Sequence, residues 1–537
     1  MKQLKFLLII VVGGLLMTSC NKKIESLQTD PNNPTSVPPS LILGTLLEDM
    51  SGNGSNGSLG NVDSWNDVHK WNQYFCGNYD YYGNNIYSWN NGSFDPYIVM
   101  QNEIQMEKEA TVRGASAVNP YEAVGKFVKA YYYYNLTSLF GDVPQAQALQ
   151  ATTISKPAYT SQEQVFAYVL NVLDTANTHL STLIANNDNS LSSTQDIYYA
   201  GNLVKWQKAV NTFKLRVLIA LSKKSADANL NIAAQFAKII NNPTQYPIFT
   251  SQSDDLEFTY LSASYSSYGL TPSNFGSIGT RLNMAKTYVD ALTTNNDPRV
   301  YITCDPAWKL VDSFKTTATD FKAFAGASTG EPLSTMYGNA NYGIYSFINR
   351  YRYFTTFTGE PDVLVGYKEM CFNIAEAIER GWVSGNAETW YKTGINESMK
   401  FYGIDTTHTS FTAHFLPPGN TSAANTVAYP FTFSFSTFYA QPSVMLSSTA
   451  TTAINQIVLQ KYIAMFQNSG YEAYYNWRRT GVPTFLTGSG VGNNNTIPLR
   501  YQYPLSEQQQ NATNYKAALT AQGFTADDLN QTMWLIK

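Results

Sequence analysis

Apolar residues recur at helical spacing through several long stretches of the chain. From Leu203 they fall at Trp206, Val210, Phe213, Val217 and Leu221, while Lys205, Lys208, Lys214 and Lys224 lie largely off that stripe. Such a stripe predicts an amphipathic helix that buries one face. The same spacing predicts helices over 121–139 (Tyr121, Val124, Val128, Tyr132, Leu136, Leu139) and 162–184 (Phe166, Val169, Leu173, Ala176, Leu180, Leu183), and again over 362–380 and 387–402. Gly141 and Pro144 stop the first of these, Gly381 and Gly403 the last two. The tyrosines at 131–134 point all around one helix, which assigns them to packing between helices.

One pair of predicted helices carries a pattern of small residues. Ala375 precedes Ala387 by twelve positions, and Tyr391 and Gly394 follow, with a turn over 381–386 between the helices. Small residues at these places let two helices approach closely, as in a tetratricopeptide hairpin. Inserts over 141–160 and 242–280 break any fixed period. The expected fold class is therefore mainly α, a tetratricopeptide-like helical hairpin scaffold with long irregular loops. Those loops are 51–98, 250–280, 303–350 and 405–450, rich in Gly, Ser, Thr, Asn, Tyr and Phe. Loops of such length are usually functional. Alternating aromatics within 426–439 predict a short strand there.

Composition then narrows the class. Of 537 residues, 44% are hydrophobic, which excludes disorder, and only 14% are charged. Asn, Ser and Thr keep the surface wet in place of charge. Lys and Arg number 35 against 39 Asp and Glu, a formal charge of −4 with no basic tract, which excludes a charge-driven nucleic-acid binder.

The N-terminus indicates export. Lys2 and Lys5 precede an apolar run over 6–16, too short to span a bilayer comfortably, and Leu16-Met17-Thr18-Ser19-Cys20 follows. Small residues before a cysteine predict a lipoprotein signal peptide over 1–19, with acylation at Cys20. Residues 20–39 then form a tether rich in Asn and Pro, and 40–537 a single helical domain. No later stretch offers some 18 uninterrupted apolar residues, so the mature chain is expected to be soluble apart from its lipid. Cys76, Cys304 and Cys371 show no CxxC spacing and indicate neither a disulfide framework nor zinc.

The candidate chemistry is that of sugar capture. Pyranose rings need flat apolar faces ringed by hydroxyl and amide partners, which Tyr, Trp and Asn supply. Segment 65–97 concentrates these types, although Trp71 and Tyr74 are assigned to a helix and its core. Two further loops are similar, one at Tyr265 and Tyr268 with Asn274, the other running from Tyr337 to Tyr345 with Asn339 and Asn341. The candidate ligand-binding residues are Tyr81, Tyr82, Asn84, Trp89, Tyr268 and Tyr342.

Enzyme signatures are scarce. Gly326-Ala327-Ser328-Thr329-Gly330 fits G-x-S-x-G, yet Glu331-Pro332 follows and the strand-turn-helix context is lacking. The histidines His69, His179, His408 and His414 form no zinc pair, and the last two share a loop without a convincing nearby acid. Glu376 and Glu379 suit solvated or interhelical roles, and Trp477-Arg478-Arg479 an ion-paired, stacked structural one. No cofactor is indicated, and a structural calcium ion held by scattered loop oxygens stays open.

Several stretches, taken in order, resemble the SusD/RagB-like outer-membrane lipoproteins of Bacteroidota. They are Leu27-Gln28-Thr29-Asp30-Pro31-Asn32-Asn33-Pro34, Leu139-Phe140-Gly141-Asp142-Val143-Pro144, Asn296-Asp297-Pro298-Arg299 and Ala375-Glu376-Ala377 with Arg380-Gly381-Trp382. Trp477-Arg478-Arg479-Thr480-Gly481 and Ile497-Pro498-Leu499-Arg500-Tyr501-Gln502-Tyr503-Pro504 follow near the end. The resemblance implies a non-enzymatic protein of the outer membrane that captures an oligomeric nutrient, a glycan first of all. It would deliver that nutrient to a partner SusC-like TonB-dependent transporter. The alternatives are a peptide-capturing member of the same family or a surface glycoside hydrolase. The resemblance implies a lipid-anchored protein facing the cell surface, although Asn21-Lys22-Lys23 stand where acidic residues favour surface export.

Overall fold

The computed structural model describes residues 36–53, 62–150, 152–262, 268–408 and 410–537. Cys20, the signal segment and most of the tether lie outside them, as do Tyr265 and the residues up to 267.

Helix packing runs as a chain of neighbours. Pro39–Met50 packs on Pro96–Val112, that on Pro120–Phe140, then Gln162–Ala185 and Leu203–Ala220. Helix Leu203–Ala220 in turn meets Tyr367–Glu379, which forms a hairpin with Ala387–Phe401 and packs on Ala450–Ala464. The amphipathic stripes meet along these contacts. Asparagine and serine caps start several helices: the Asn119 side chain accepts from the Tyr121 and Glu122 N–H groups, Ser161 from Gln164, Asn202 from Lys205 and Asn386 from Thr389.

The tyrosines at 131–134 are all buried, as their placement around one helix requires. Tyr134 donates its hydroxyl to Glu472 Oε1 at 2.7 Å. The two helices of the hairpin meet closely: Ala375 and the aromatic Tyr391 are fully buried, and a Cβ on Gly394 would come within 2.7 Å of the Phe372 ring. A side chain there would have to push the buried Phe372 ring aside.

Ion pairs cross this core. Arg479 Nη2 bonds Glu376 Oε2 at 2.9 Å, and Arg380 reaches Glu376 Oε1 at 2.7 Å. Burial alone would raise the Glu376 carboxyl; the two guanidiniums override it and hold it at about 2. Arg478 lies over the rings of Tyr474 and Tyr475, and Trp477 stacks on Phe485 at 4.9 Å. The arginine pair and Glu376 are thus interhelical and structural.

Three sequence expectations are corrected here. Residues 362–365 form a strand, Asp362–Val365, antiparallel to Leu256–Phe258, and the helix starts at Tyr367. Pro361 and Gly366 bracket this run, in which Val363 and Val365 are β-branched and all four residues are buried, so it carries no alternation to mark it as a strand. Residues 337–341 lie in the helix Leu333–Asn341, where a loop was expected. His408 does have an acid beside it, Asp405 Oδ2 at 2.6 Å from Nδ1, on an exposed turn. The stretch 426–439 does contain a strand, Val427–Thr432, paired with Ser410–Phe415 and followed by helix Phe435–Tyr439.

Candidate functional site

A two-stranded sheet places the first candidate loop. Phe75–Gly77 pairs with Leu282–Met284, Phe75 opposite Met284, and the chain leaves this sheet into a single helical turn, Asp80–Tyr82. Buried Asn85 ties the loop shut, accepting from the Gly77 N–H at 2.9 Å and donating to the Gly77 carbonyl at 3.0 Å. A side chain at Gly77 would meet the Gly83 carbonyl oxygen at 2.6 Å, so the loop closes this tightly only over glycine. Across from it stands helix Leu333–Asn341, held from beneath by fully buried Met336, which packs with Cys76, Ala285 and Ala327.

Between loop and helix lies a cavity of about 550 Å³, lined by Asn78, Tyr79, Asp80, Tyr81, Leu333, Ser334 and Tyr337. Tyr81 is 83% exposed, and Tyr79, Tyr82 and Tyr337 are also exposed. The rings are mutually braced: Tyr79 lies 5.5 Å from Tyr337 and 6.1 Å from Tyr82, and Tyr81 meets Tyr82 edge-on at 4.9 Å. The Arg281 guanidinium sits 4.7 Å from the centre of the Tyr79 ring. Exposed rings held in place by other rings lose little freedom when a ligand lands on them. The cavity can therefore offer apolar faces together with phenol, amide and hydroxyl groups.

The six residues singled out from sequence separate on this geometry. Tyr81 lines the cavity and Tyr82 braces it. Asn84 is half-buried beside the loop, its carbonyl taking the Lys70 Nζ at 3.0 Å and its side chain accepting from the Ile86 N–H at 3.0 Å. Tyr342 is 74% exposed at the end of helix Leu333–Asn341, outside the cavity lining.

Trp89 and Tyr268 are corrected to the core. Trp89 is 0% exposed, stacked on Tyr501 at 4.4 Å and edge-on to Tyr474 at 4.8 Å. Tyr268 is 1% exposed and accepts from Trp65 Nε1 at 2.5 Å. Both sit in aromatic-rich sequence, which does not distinguish a ring under a loop from one on top of it. Arg281 and Ser334 carry no signal in the sequence that would have set them apart.

Beneath the loop, helix Asp67–Trp71 carries His69, fully buried with Nε2 3.1 Å from the Val62 carbonyl. Burial lowers its pKa from 6.5 to about 4, with the Val62 contact opposing. The unfolded chain therefore binds this proton first as pH falls, and stability drops between pH 6.5 and 4. Going from pH 7 to pH 5, His69 accounts for a loss of about 2 kcal/mol. Asp63, which burial raises to about 6, acts in the opposite direction. The readout is therefore the change in unfolding free energy from pH 7 to pH 5, which should be about 2 kcal/mol more favourable in His69→Gln than in wild type.

With this geometry in hand, comparison with known proteins is decisive. Residues 31–504 match the SusD-like_2 family, described as "Starch-binding associating with outer membrane". The chain belongs to the SusD-like family. Its fold is similar to that of a SusD homologue from Bacteroides fragilis, at 27% identity and TM-score 0.77 over 93% of this chain and 100% of that one. A second SusD homologue from the same organism matches at 29% identity and TM-score 0.74, over 94% and 100%. A chitin-binding SusD homologue from Flavobacterium johnsoniae shares the fold at 17% identity and TM-score 0.68, over 93% and 98%. No curated protein matches. SusD-like proteins are outer-membrane-associated binding proteins. Among the described residues no helix is long and apolar enough to cross a membrane, and no group of three or more His, Cys, Asp or Glu is placed to hold a metal ion.

Proposed function

We propose that this SusD-like protein captures a neutral oligosaccharide at the tyrosine cavity, without chemistry on it, while anchored to the outer membrane through lipidated Cys20. From there the sugar passes to a SusC-like TonB-dependent transporter. The observation that carries the reading is the set of Tyr79, Tyr81, Tyr82 and Tyr337, exposed yet braced by one another around one cavity. Soluble proteins seldom leave so many large rings together at the surface without a ligand to cover them. Hydrolysis of a glycosidic bond ordinarily needs two carboxyl groups flanking it, and the cavity lining holds one, Asp80.

The experiment is titration of the purified chain with maltoheptaose and chitohexaose, sugars chosen from what the family description and the Flavobacterium relative name. Binding of at least one is expected, changing little between low and high salt because stacking and hydrogen bonds carry it. The recovered sugar should keep its length. Binding only of peptides would favour the peptide-capturing alternative, and shortened sugar would favour the hydrolase.

A further inference from the structure

A larger concavity, of about 820 Å³, lies between the hairpin Ser410–Phe415/Val427–Thr432, helix Phe435–Tyr439 and the residues leading into helix Val300–Thr303. It shares no lining residue with the tyrosine cavity. Its volume falls within the range of small-ligand sites, about 300–1,000 Å³.

The hairpin is fixed by an aromatic stack: Phe431 lies 4.0 Å from Tyr301 and 5.2 Å from Phe411, nearly parallel to the latter. Phe411 and Phe433 stay half-buried along the concavity. Polar groups alternate with them. Thr432 stands exposed on the strand, and Gln441 is oriented by donating to the Asn295 carbonyl at 2.6 Å while its Oε1 faces Asn296 Nδ2 at 3.4 Å. Every lining side chain is uncharged. A charged peptide or a lipid headgroup finds no counter-charge there, whereas a neutral sugar needs none. Rings, hydroxyls and amides in one concave lining are the groups that C–H faces and sugar hydroxyls require.

We propose that this concavity is a second binding site, for a neutral oligosaccharide, independent of the tyrosine cavity. The test starts from the double variant Tyr81→Ala/Tyr337→Ala, titrated with maltoheptaose and chitohexaose. Residual binding of at least one sugar is expected. Adding Thr432→Glu, at an exposed position that leaves the core untouched, should weaken that residual binding at least about tenfold. Phe433→Ala should do the same, and hydrogen exchange over 427–441 should slow in the presence of the sugar.

Absence of residual binding with either sugar would overturn the proposal, as would residual binding that neither Thr432→Glu nor Phe433→Ala weakens. Protection of 427–441 by the transporter alone, with none by sugar, would assign the concavity to a protein partner and also overturn it. Loss of binding in Thr432→Glu, with the tyrosine double variant unaffected, would sustain this site and reject the tyrosine one.

Discussion

Replacing Arg216 by alanine is expected to lower the unfolding free energy by about 3–5 kcal/mol. Arg216 lies buried in helix Leu203–Ala220 and donates Nε to Glu369 Oε1 at 2.9 Å, with Nη2 on Glu369 Oε2 and on the Leu364 carbonyl at 2.6 Å. Glu369 belongs to helix Tyr367–Glu379, so this guanidinium ties helix Leu203–Ala220 to that helix. Lys461 Nζ stands 3.8 Å from Glu369 Oε1, and Glu472 lies 4.0 Å from Arg216 Nε. Burial would raise Glu369, and Arg216 with Lys461 overrides it to keep the carboxyl low; for Glu472 burial wins.

Without Arg216 two buried carboxyls face one ammonium, and a buried charge left uncompensated is far costlier than the pair was favourable. The double replacement Arg216→Met/Glu369→Leu removes both charges and should cost clearly less than Arg216→Ala. Urea unfolding midpoints of the three proteins check this. Equal losses in single and double variants would show that packing, not charge, governs the site.

Trp89→Ala is expected to cost a similar amount, about 3–5 kcal/mol, because it empties a fully enclosed space among Tyr501, Tyr474 and Trp71. The same substitution should leave sugar affinity unchanged in the fraction that remains folded. A loss of affinity with little loss of stability would return Trp89 to the binding surface. The variant thus separates two roles that its sequence neighbourhood confounds.

Long periodic helices were legible in the sequence because a stripe of apolar residues has one physical use. The start of helix Gln162–Ala185 and the hairpin contacts of small Ala375 and Gly394 with aromatic Tyr391 lie where spacing put them. Strand Asp362–Val365 was not legible, since four residues buried on both faces carry no period of two. The family-like motifs report on the scaffold more than on the ligand. Asp297 and Arg299 form a buried pair with Nε–Oδ1 at 2.9 Å, and Arg500 pairs with Asp527 at 2.5 Å.

The binding surface was legible only in part. Tyrosines at 79–82 were recognisable as a loop feature because Gly83 and the Asn pair follow them. Exposure, however, depends on what folds over a ring from far along the chain. Trp89 is covered by Tyr501, more than four hundred residues away in sequence, and no local pattern encodes that.

The central claim, that exposed tyrosines form the binding platform, rests on one comparison: the affinity of Tyr81→Ala/Tyr337→Ala and of wild type for whichever of maltoheptaose and chitohexaose the wild type binds. Tyr81 is 83% exposed and Tyr337 is exposed in part, so the urea midpoint should move by little compared with Trp89→Ala. The expected result is affinity at least about tenfold weaker, from two lost stacking contacts of about 1 kcal/mol each. Unchanged affinity in the folded double variant would contradict the account.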